Sequence, residues 1–322
     1  MSHIQPSFRT ISNGAHAHRL LQLQCKRLVD LHGPVLEDKD PEPLHQMRVS
    51  MRRLRTGLAQ FGPCLLLPHA VSDQRLAKSV RRLGMARDLD VLRDRLEHVL
   101  LPQLSEQEQQ RLKPVRRQLA RERRLAQEHL ESVLQSSRHL ELIAKLQAWL
   151  RQPRYTVLGE QPLVDWLAEW RLPGSTSLGL HPGWWLQSPQ EDVETLHDLR
   201  KRIKTVRYQL ENLTELSDSR GRSWIAALKQ GQSLLGELND LQVLSEAIRH
   251  QLDHELERYL PHLAALLDQQ RLQCWRAWRQ LATTLMQRHQ RRRRVASLGM
   301  GSTRPHSRAA LIDFGSRFGY RG

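Results

Sequence analysis

The chain is short of nearly everything from which strands, disulfide frameworks and membrane spans are made. Among its 322 residues are three cysteines, four phenylalanines and four tyrosines, and aromatics make up 5%. Cys25, Cys64 and Cys274 are odd in number and far apart, with neither CxxC pairs nor an even framework. They read as small core residues in a reducing compartment. No uninterrupted run of about 18 apolar residues occurs, and MSHIQPSFRTISNG has no apolar signal core before a cleavage site, so a cytoplasmic protein is expected. Carboxylates are scarce too: 34 Asp and Glu face 50 Lys and Arg, giving a formal net charge of +16. That excess favours a polyanionic partner: nucleic acid, an acidic membrane surface or a phosphate polymer.

Catalytic signatures are missing as well. There is no GxxxxGK loop, no paired DxD and no HExxH, so phosphoryl transfer and zinc hydrolysis have no motif to rest on. His250 and His254, with Asp253 and Glu257, have a spacing that could clasp zinc, but they read better as a polar helix face. No metal and no cofactor is expected.

The positive charge is uneven. Residues 288–322 hold nine arginines against the single Asp313, a net +8, which leaves +8 for everything before. Residues 291–322 are expected to be a basic, disordered tail, and residues 1–15 a flexible N-terminus.

What remains is helical. Leu, Gln, Arg, Glu and Ala dominate from about 16 to 290, with apolar residues recurring at three and four. Helices are expected over 16–37, 44–61, 71–100, 106–150 with a kink at Pro114, 161–171, 189–216, 222–252 and 255–292. Ser105 with Glu108, and Ser188 with Pro189 and Glu191, have the form of capping boxes. Leu172 to Ser188 reads as one long loop, with Trp184 and Trp185 packed.

An internal repeat organises the chain. LHQMRVSMRRLR begins at Leu44 and LHDLRKRIKTVR at Leu196; LGMARDLDVL begins at Leu83 and LGELNDLQVL at Leu235. Both pairs keep an offset of 152, and six of ten positions are identical in the second. Two related helical bundles about an approximate two-fold axis are therefore expected: residues 16–150, and 189–290 together with 160–171, joined by a linker over 151–188.

At about 100° per residue, His45, Arg48, Arg52 and Arg55 fall within an arc of about 80° on one helix. His197, Arg200, Lys204 and Arg207 occupy the same arc on its counterpart. Leu44, Met47, Met51, Leu54 and Leu58 form the adjoining apolar stripe, answered by Leu196, Leu199, Ile203, Val206 and Leu210. In the second motif, Lys78 and Arg81 lie on the side of Asp88, and Lys229 on the side of Asp240. Gly84 and Gly236 sit within helices, where glycine costs on the order of 1 kcal/mol relative to alanine, and suggest close helix approach. Asp88 and Asp240 read as structural carboxylates that orient arginines. An isolated MRRLR would be a solvated face; the repetition of one spacing in both halves favours a binding site. Like charges brought together across a two-fold axis need an anion between them.

With these residues in view, the sequence resembles the CHAD family, the conserved histidine α-helical domain. LHQMRVSMRRLR with LGMARDLDVL, and LHDLRKRIKTVR with LGELNDLQVL, carry both halves of its pattern over about residues 16–290. The resemblance implies an all-α fold of two four-helix-bundle-like halves, related by pseudo-two-fold symmetry around a basic central cleft that binds inorganic polyphosphate without catalysis. It also implies a cytoplasmic setting at polyphosphate granules. The residues it implies are His45, Arg48, Arg52, Arg55, Lys78, Arg81, His197, Arg200, Lys204, Arg207 and Lys229. The CYTH-type triphosphate-tunnel domain that often accompanies the family has no counterpart in this sequence.

Two other readings stay open. A nucleic-acid binder would use the basic core and the run Arg291–Arg294 through phosphate contacts, although few aromatics interleave with the basic rows to stack bases. Tyr208 is the exception and reads as a wall residue. A polyphosphate-processing accessory enzyme would need a nucleophile, but a protonated His45 or His197 held among arginines suits hydrogen bonding better than attack.

Overall fold

Capping side chains and proline set the order of elements. The computed structural model describes residues 10–252 and 255–299; the side chains of Asp73, Lys78 and residues 288–299 lie outside what is described. Every regular element among the described residues is helical, as expected, apart from isolated bridges pairing Ser12 with Pro162 and Leu65 with Tyr155.

Ser12 Oγ accepts from Ala15 N and opens α1 (Asn13–Asp30), which a break at Leu31 separates from α2 (His32–Glu37). The first helix thus begins inside the segment expected to be flexible. Asp40 caps α3 (Pro41–Phe61) and Ser72 caps α4 (Asp73–Asp94), whose end passes into a π-helical turn over Arg95–Leu100. The single helix expected over 106–150 is instead three: α5 (Glu106–Arg111), α6 (Lys113–Leu134) and α7 (Ser137–Arg151). Pro114 sits in the first turn of α6, where a missing N–H is tolerated, so it marks a start and not a kink.

After α8 (Val157–Glu160), α9 (Leu167–Gly179) runs through Pro173 into the stretch expected to be a loop, and a 3-10 turn follows at Pro182–Trp184. Burial accounts for the difference. Trp184 stacks on Trp278 with ring centroids 5.4 Å apart and pins this segment to the core, whereas Trp185 is exposed. Ser188 caps nothing: α10 (Val193–Glu211) opens at Asp192, which accepts from Thr195 N, and Glu191 accepts from Gln187 N. Asp218 caps α11 (Ser219–Gln251), and α12 (Leu256–Tyr259) leads to α13 (Pro261–Gly299).

Ser105 does cap α5, but Glu108 does not return the bond. Its buried carboxylate accepts from His262 N at 2.9 Å and Leu263 N at 3.1 Å, satisfying the first-turn amides of α13. Helix α13 continues through Arg291–Arg294, so the start of the expected tail is helical; residues 300–322 lie outside the described residues.

Three apolar clusters hold the helices. One gathers Leu21, Leu54, Phe61, Leu83 and Leu130 from α1, α3, α4 and α6. Another gathers Ile203, Leu228, Leu235 and Trp278 from α10, α11 and α13. The third joins early and late parts of the chain, packing Leu100, Leu112 and Val115 against Leu244, Ile248 and Leu263. Cys25 and Cys64 are buried and Cys274 half-buried; burial pushes all three thiols up to about 11, helped at Cys274 by Glu237. They are core residues, as the sequence suggests.

Arg123 supplies the main polar anchor inside the first half. Its buried guanidinium donates to Asp90 Oδ1 at 2.5 Å and to Asp38 Oδ2 at 3.0 Å, tying α6 to α4 and to the end of α2. Asp38 stands in the left-handed region, φ 46°. Replacing Arg123 by Leu leaves both carboxylates without their cation, and a loss of about 3–5 kcal/mol is expected. Urea denaturation of R123L reads it directly.

Candidate anion-binding cleft

The first repeated motif forms most of α3 and α10, and the second lies within α4 and α11. Helix α3 packs on α4, α10 on α11, and α3 meets α10. The stripes Leu44, Met47, Met51, Leu54, Leu58 and Leu196, Leu199, Ile203, Val206 are buried, with Leu210 partly so. Burying them aims the basic rows at each other. Arg48 and Arg52 feel the charge of Arg200, and Lys204 feels Arg52, Arg200 and Arg48.

Arg48 and Arg200 each lie against a glycine of the second motif. A methyl group at Gly84 would lie 3.8 Å from the Arg48 Nε and Nη2, and one at Gly236 would lie 3.3 Å from the Arg200 Nη2. At Gly236 the missing side chain makes room for the Arg200 guanidinium, whereas at Gly84 a methyl group would meet Arg48 at ordinary contact distance; in both helices the nearest neighbour is a guanidinium and not the backbone of another helix. Arg48 Nη2 also donates to Asp88 Oδ1 at 2.8 Å, a single contact. Asp240 is within range of the Arg200 charge, but burial dominates and pushes its carboxyl up.

The cations are short of partners. Arg48 Nε is buried without a hydrogen bond. Lys204 has no hydrogen bond or ion pair among the described residues. Burial, then the neighbouring charge of Arg48, pulls Arg52 down to about 10. Burial, then the charges of Arg52, Arg200 and Arg48, pulls Lys204 down to about 7, with Asp88 opposing. His45 and His197 are also lowered, chiefly by burial; Arg87 adds to this at His45, and at His197 a hydrogen bond to Asn239 opposes it. Both imidazoles are thus held towards the neutral form more than a free histidine is. Such an arrangement can accept an anion through several unpaired donors and take up protons as it does so.

The remaining sequence candidates are spread more widely. Arg55 is half-buried on α3, Arg81 and Lys229 are exposed on α4 and α11, and the Lys78 side chain lies outside the described residues. Arg207 is buried and engaged internally: Nε donates to Gln232 Oε1 at 2.9 Å, Nη1 pairs with Glu211, and the guanidinium lies over the Tyr208 ring. It is a support and not an open donor. Of the suspected zinc clasp, Asp253 and His254 lie outside the described residues. Among the described residues no cluster of three or more potential metal ligands occurs, and no helix is long and apolar enough to cross a membrane.

Several contributors escaped the sequence reading. Arg87 is the charged neighbour of His45, and Asn239 Oδ1 accepts from His197 Nδ1 at 2.9 Å. They occupy equivalent positions of the repeat, a signal that could have found them. Arg53 donates to Glu211 Oε2 at 2.9 Å, and Asn212 donates to Gln60 Oε1 at 2.9 Å, bonding the ends of α3 and α10 together. Nothing in local sequence marks that closure.

This helical cleft, with repeated His–Arg rows seated on repeated glycines, defines a class. Residues 19–249 match the CHAD domain, and the chain belongs to that family. It is similar to the crystal structure of the CHAD domain from the plant Ricinus communis, with 24% identity, a TM-score of 0.60, and coverage of 85% of this chain and 93% of that chain. It is similar also to PptA from Streptomyces chartreusis, with 17% identity, a TM-score of 0.63, and coverage of 87% and 99%. These two likenesses speak to the fold. No curated protein matches the chain.

The lowered value of Lys204 has a sign that can be measured. Between about 7, its folded value, and about 10.4, the usual value, the unfolded chain holds a proton that the folded chain lacks. This group therefore stabilises folding less as pH falls through that window. Lys204→Met should raise the melting temperature of the free protein at pH 7, and the gain should shrink towards pH 10.4. Calorimetry at the two pH values checks it; an equal gain at both would contradict the lowered value.

Proposed function

We propose that the chain binds inorganic polyphosphate in the cleft between α3 and α10 and does not turn it over. The observation that carries this reading is the convergence of Arg48, Arg52, Arg200 and Lys204, half-buried and mutually repelling, with a buried unpaired donor on Arg48. A linear polyphosphate carries about one charge per phosphate and has no base edges, so it asks only for dense cations in a channel. Tyr208, the aromatic nearest the rows, is buried and offers no face for stacking. CHAD domains are non-catalytic accessory domains, which fits binding without turnover.

In this reading the two halves, 16–150 and 189–290 with 160–171, are four-helix-like units related by pseudo-two-fold symmetry, and the cleft follows their axis. His45 and His197 stand among the first-motif cations, while Arg55, Arg81 and Lys229 contact a longer chain outside the centre. Arg207 acts by holding Glu211. The cytoplasm, at polyphosphate granules, is the proposed setting. Nucleic acid is the second reading, favoured by the run Arg291–Arg294 on α13.

Competition separates the two. Polyphosphate should displace DNA of equal charge from the full chain, and should do so equally from a chain ending at residue 290, with modestly weaker binding and a flatter salt dependence. Replacing Arg48, Arg52, Arg200 and Lys204 together by alanine should cost on the order of a hundredfold in affinity while circular dichroism stays helical. The cleft is the wrong site if this variant binds as tightly as the parent and truncation at 290 abolishes binding.

A further inference from the structure

A phosphate site that contains an unpartnered amine has a chemistry beyond binding. Lys204 lies half-buried on α10, within the fields of Arg52, Arg200 and Arg48 and without a hydrogen-bond partner among the described residues. Arg48 is braced by Asp88 and lies against Gly84, and Arg200 lies against Gly236, so two positioned donors for phosphate oxygens stand close enough for their charges to reach the amine. Asp88 is the carboxylate whose charge reaches Lys204, and it is already paired with Arg48. Among the described residues no carboxylate pairs directly with the ammonium, and Asp88 opposes its loss of charge only from a distance. Lysine crowded by cations and removed from water is the pattern by which amines become nucleophiles at neutral pH.

We propose that Lys204 is a site of acylation by acyl phosphates, the mixed anhydrides of carboxylic and phosphoric acids, which the cleft arginines would deliver by their phosphate end. The proposal rests on the reading of the cleft as a phosphate site. The neutral amine attacks the acyl carbon, a C–N bond forms, and the C–O bond to phosphate breaks. Inorganic phosphate leaves with the electron pair and takes up the proton lost from nitrogen. No oxidant, reductant or metal is required. The product is an amide that carries no charge, so one cation is lost from the centre of the cleft and polyphosphate binding weakens. The fall of Lys204 to about 7 leaves a share of the amine neutral in the free protein, and the attack draws on the share that the bound phosphate leaves unprotonated.

Lys201, exposed one turn earlier on the same helix, is an internal control. The full chain is incubated at pH 7.5 with acetyl phosphate, and acetylation at each lysine is followed by mass spectrometry. Lys204 should react about tenfold faster than Lys201 or more. That preference should shrink with acetic anhydride, which has no phosphate to be held, and with Arg48→Ala/Arg200→Ala. Saturating polyphosphate should protect Lys204 and leave Lys201 unchanged. The acetylated chain, and Lys204→Gln, should bind polyphosphate about tenfold more weakly. Equal rates at the two lysines, or an undiminished preference with the anhydride, overturn the proposal. Binding of polyphosphate is measured separately on the unmodified chain. If it binds and Lys204 shows no preference, the acylation inference alone fails; if it does not bind, the polyphosphate reading fails, whatever the lysine does.

Discussion

Mutual repulsion among cations is the constraint on which the cleft depends. Four positive side chains converge from α3 and α10, and burial removes much of the water that would screen them. Left to themselves, two helices carrying such rows would turn them outwards. Here the apolar stripes prevent it, because Met47, Met51 and Leu54 on one helix and Leu199, Ile203 and Val206 on the other lie within separate cores. Turning the charges to solvent would expose those side chains, each worth roughly 1.5–3 kcal/mol when buried. The third core and the bonds of Arg53 to Glu211 and Asn212 to Gln60 then keep the two helices facing each other. The depressed lysine and histidine values record the strain that a bound anion would relieve.

The repeat is maintained where geometry is shared and relaxed where it is not. An arginine seated on a glycine occurs in both halves. The fit is tighter at Gly236, where an added methyl group would press on the Arg200 guanidinium, than at Gly84, where it would only touch Arg48. Around that unit the halves diverge. Asp88 makes a solvent-exposed bond to Arg48, whereas Asp240 is half-buried and raised; Arg87 stands opposite His45, whereas Asn239 accepts from His197. The histidines are thus placed by different partners, one repelling and one hydrogen-bonding, and both are lowered because burial dominates at each. Arg207 serves as an internal support through Glu211 and Gln232. The cleft is accordingly similar at its centre and unlike along its edges.

Helical class, the two apolar stripes and the central cations were all legible in the sequence, because each is written in spacing: 3.6-residue periodicity places Leu44 to Leu58 inside, and the offset of 152 singles out Arg48 with Arg200 and Arg52 with Lys204. Helix ends were less legible. Ser105 and Ser188 look alike as caps, yet one is used and the other is not, since the choice depends on what lies opposite: Glu108 was drawn away to the first turn of α13. Leu172 to Gly179 reads as loop by its glycine and proline content, and contact with buried neighbours made it helix. Only the tertiary structure decided the charge state of the cleft. Ionisation depends on desolvation and on charges distant in sequence, so that Lys204, which the spacing marks only as one cation of the row, is pulled down to about 7. The sequence by itself determined which faces carry charge; packing determined which charges meet, because burial of the stripes, not attraction between the rows, brings them together.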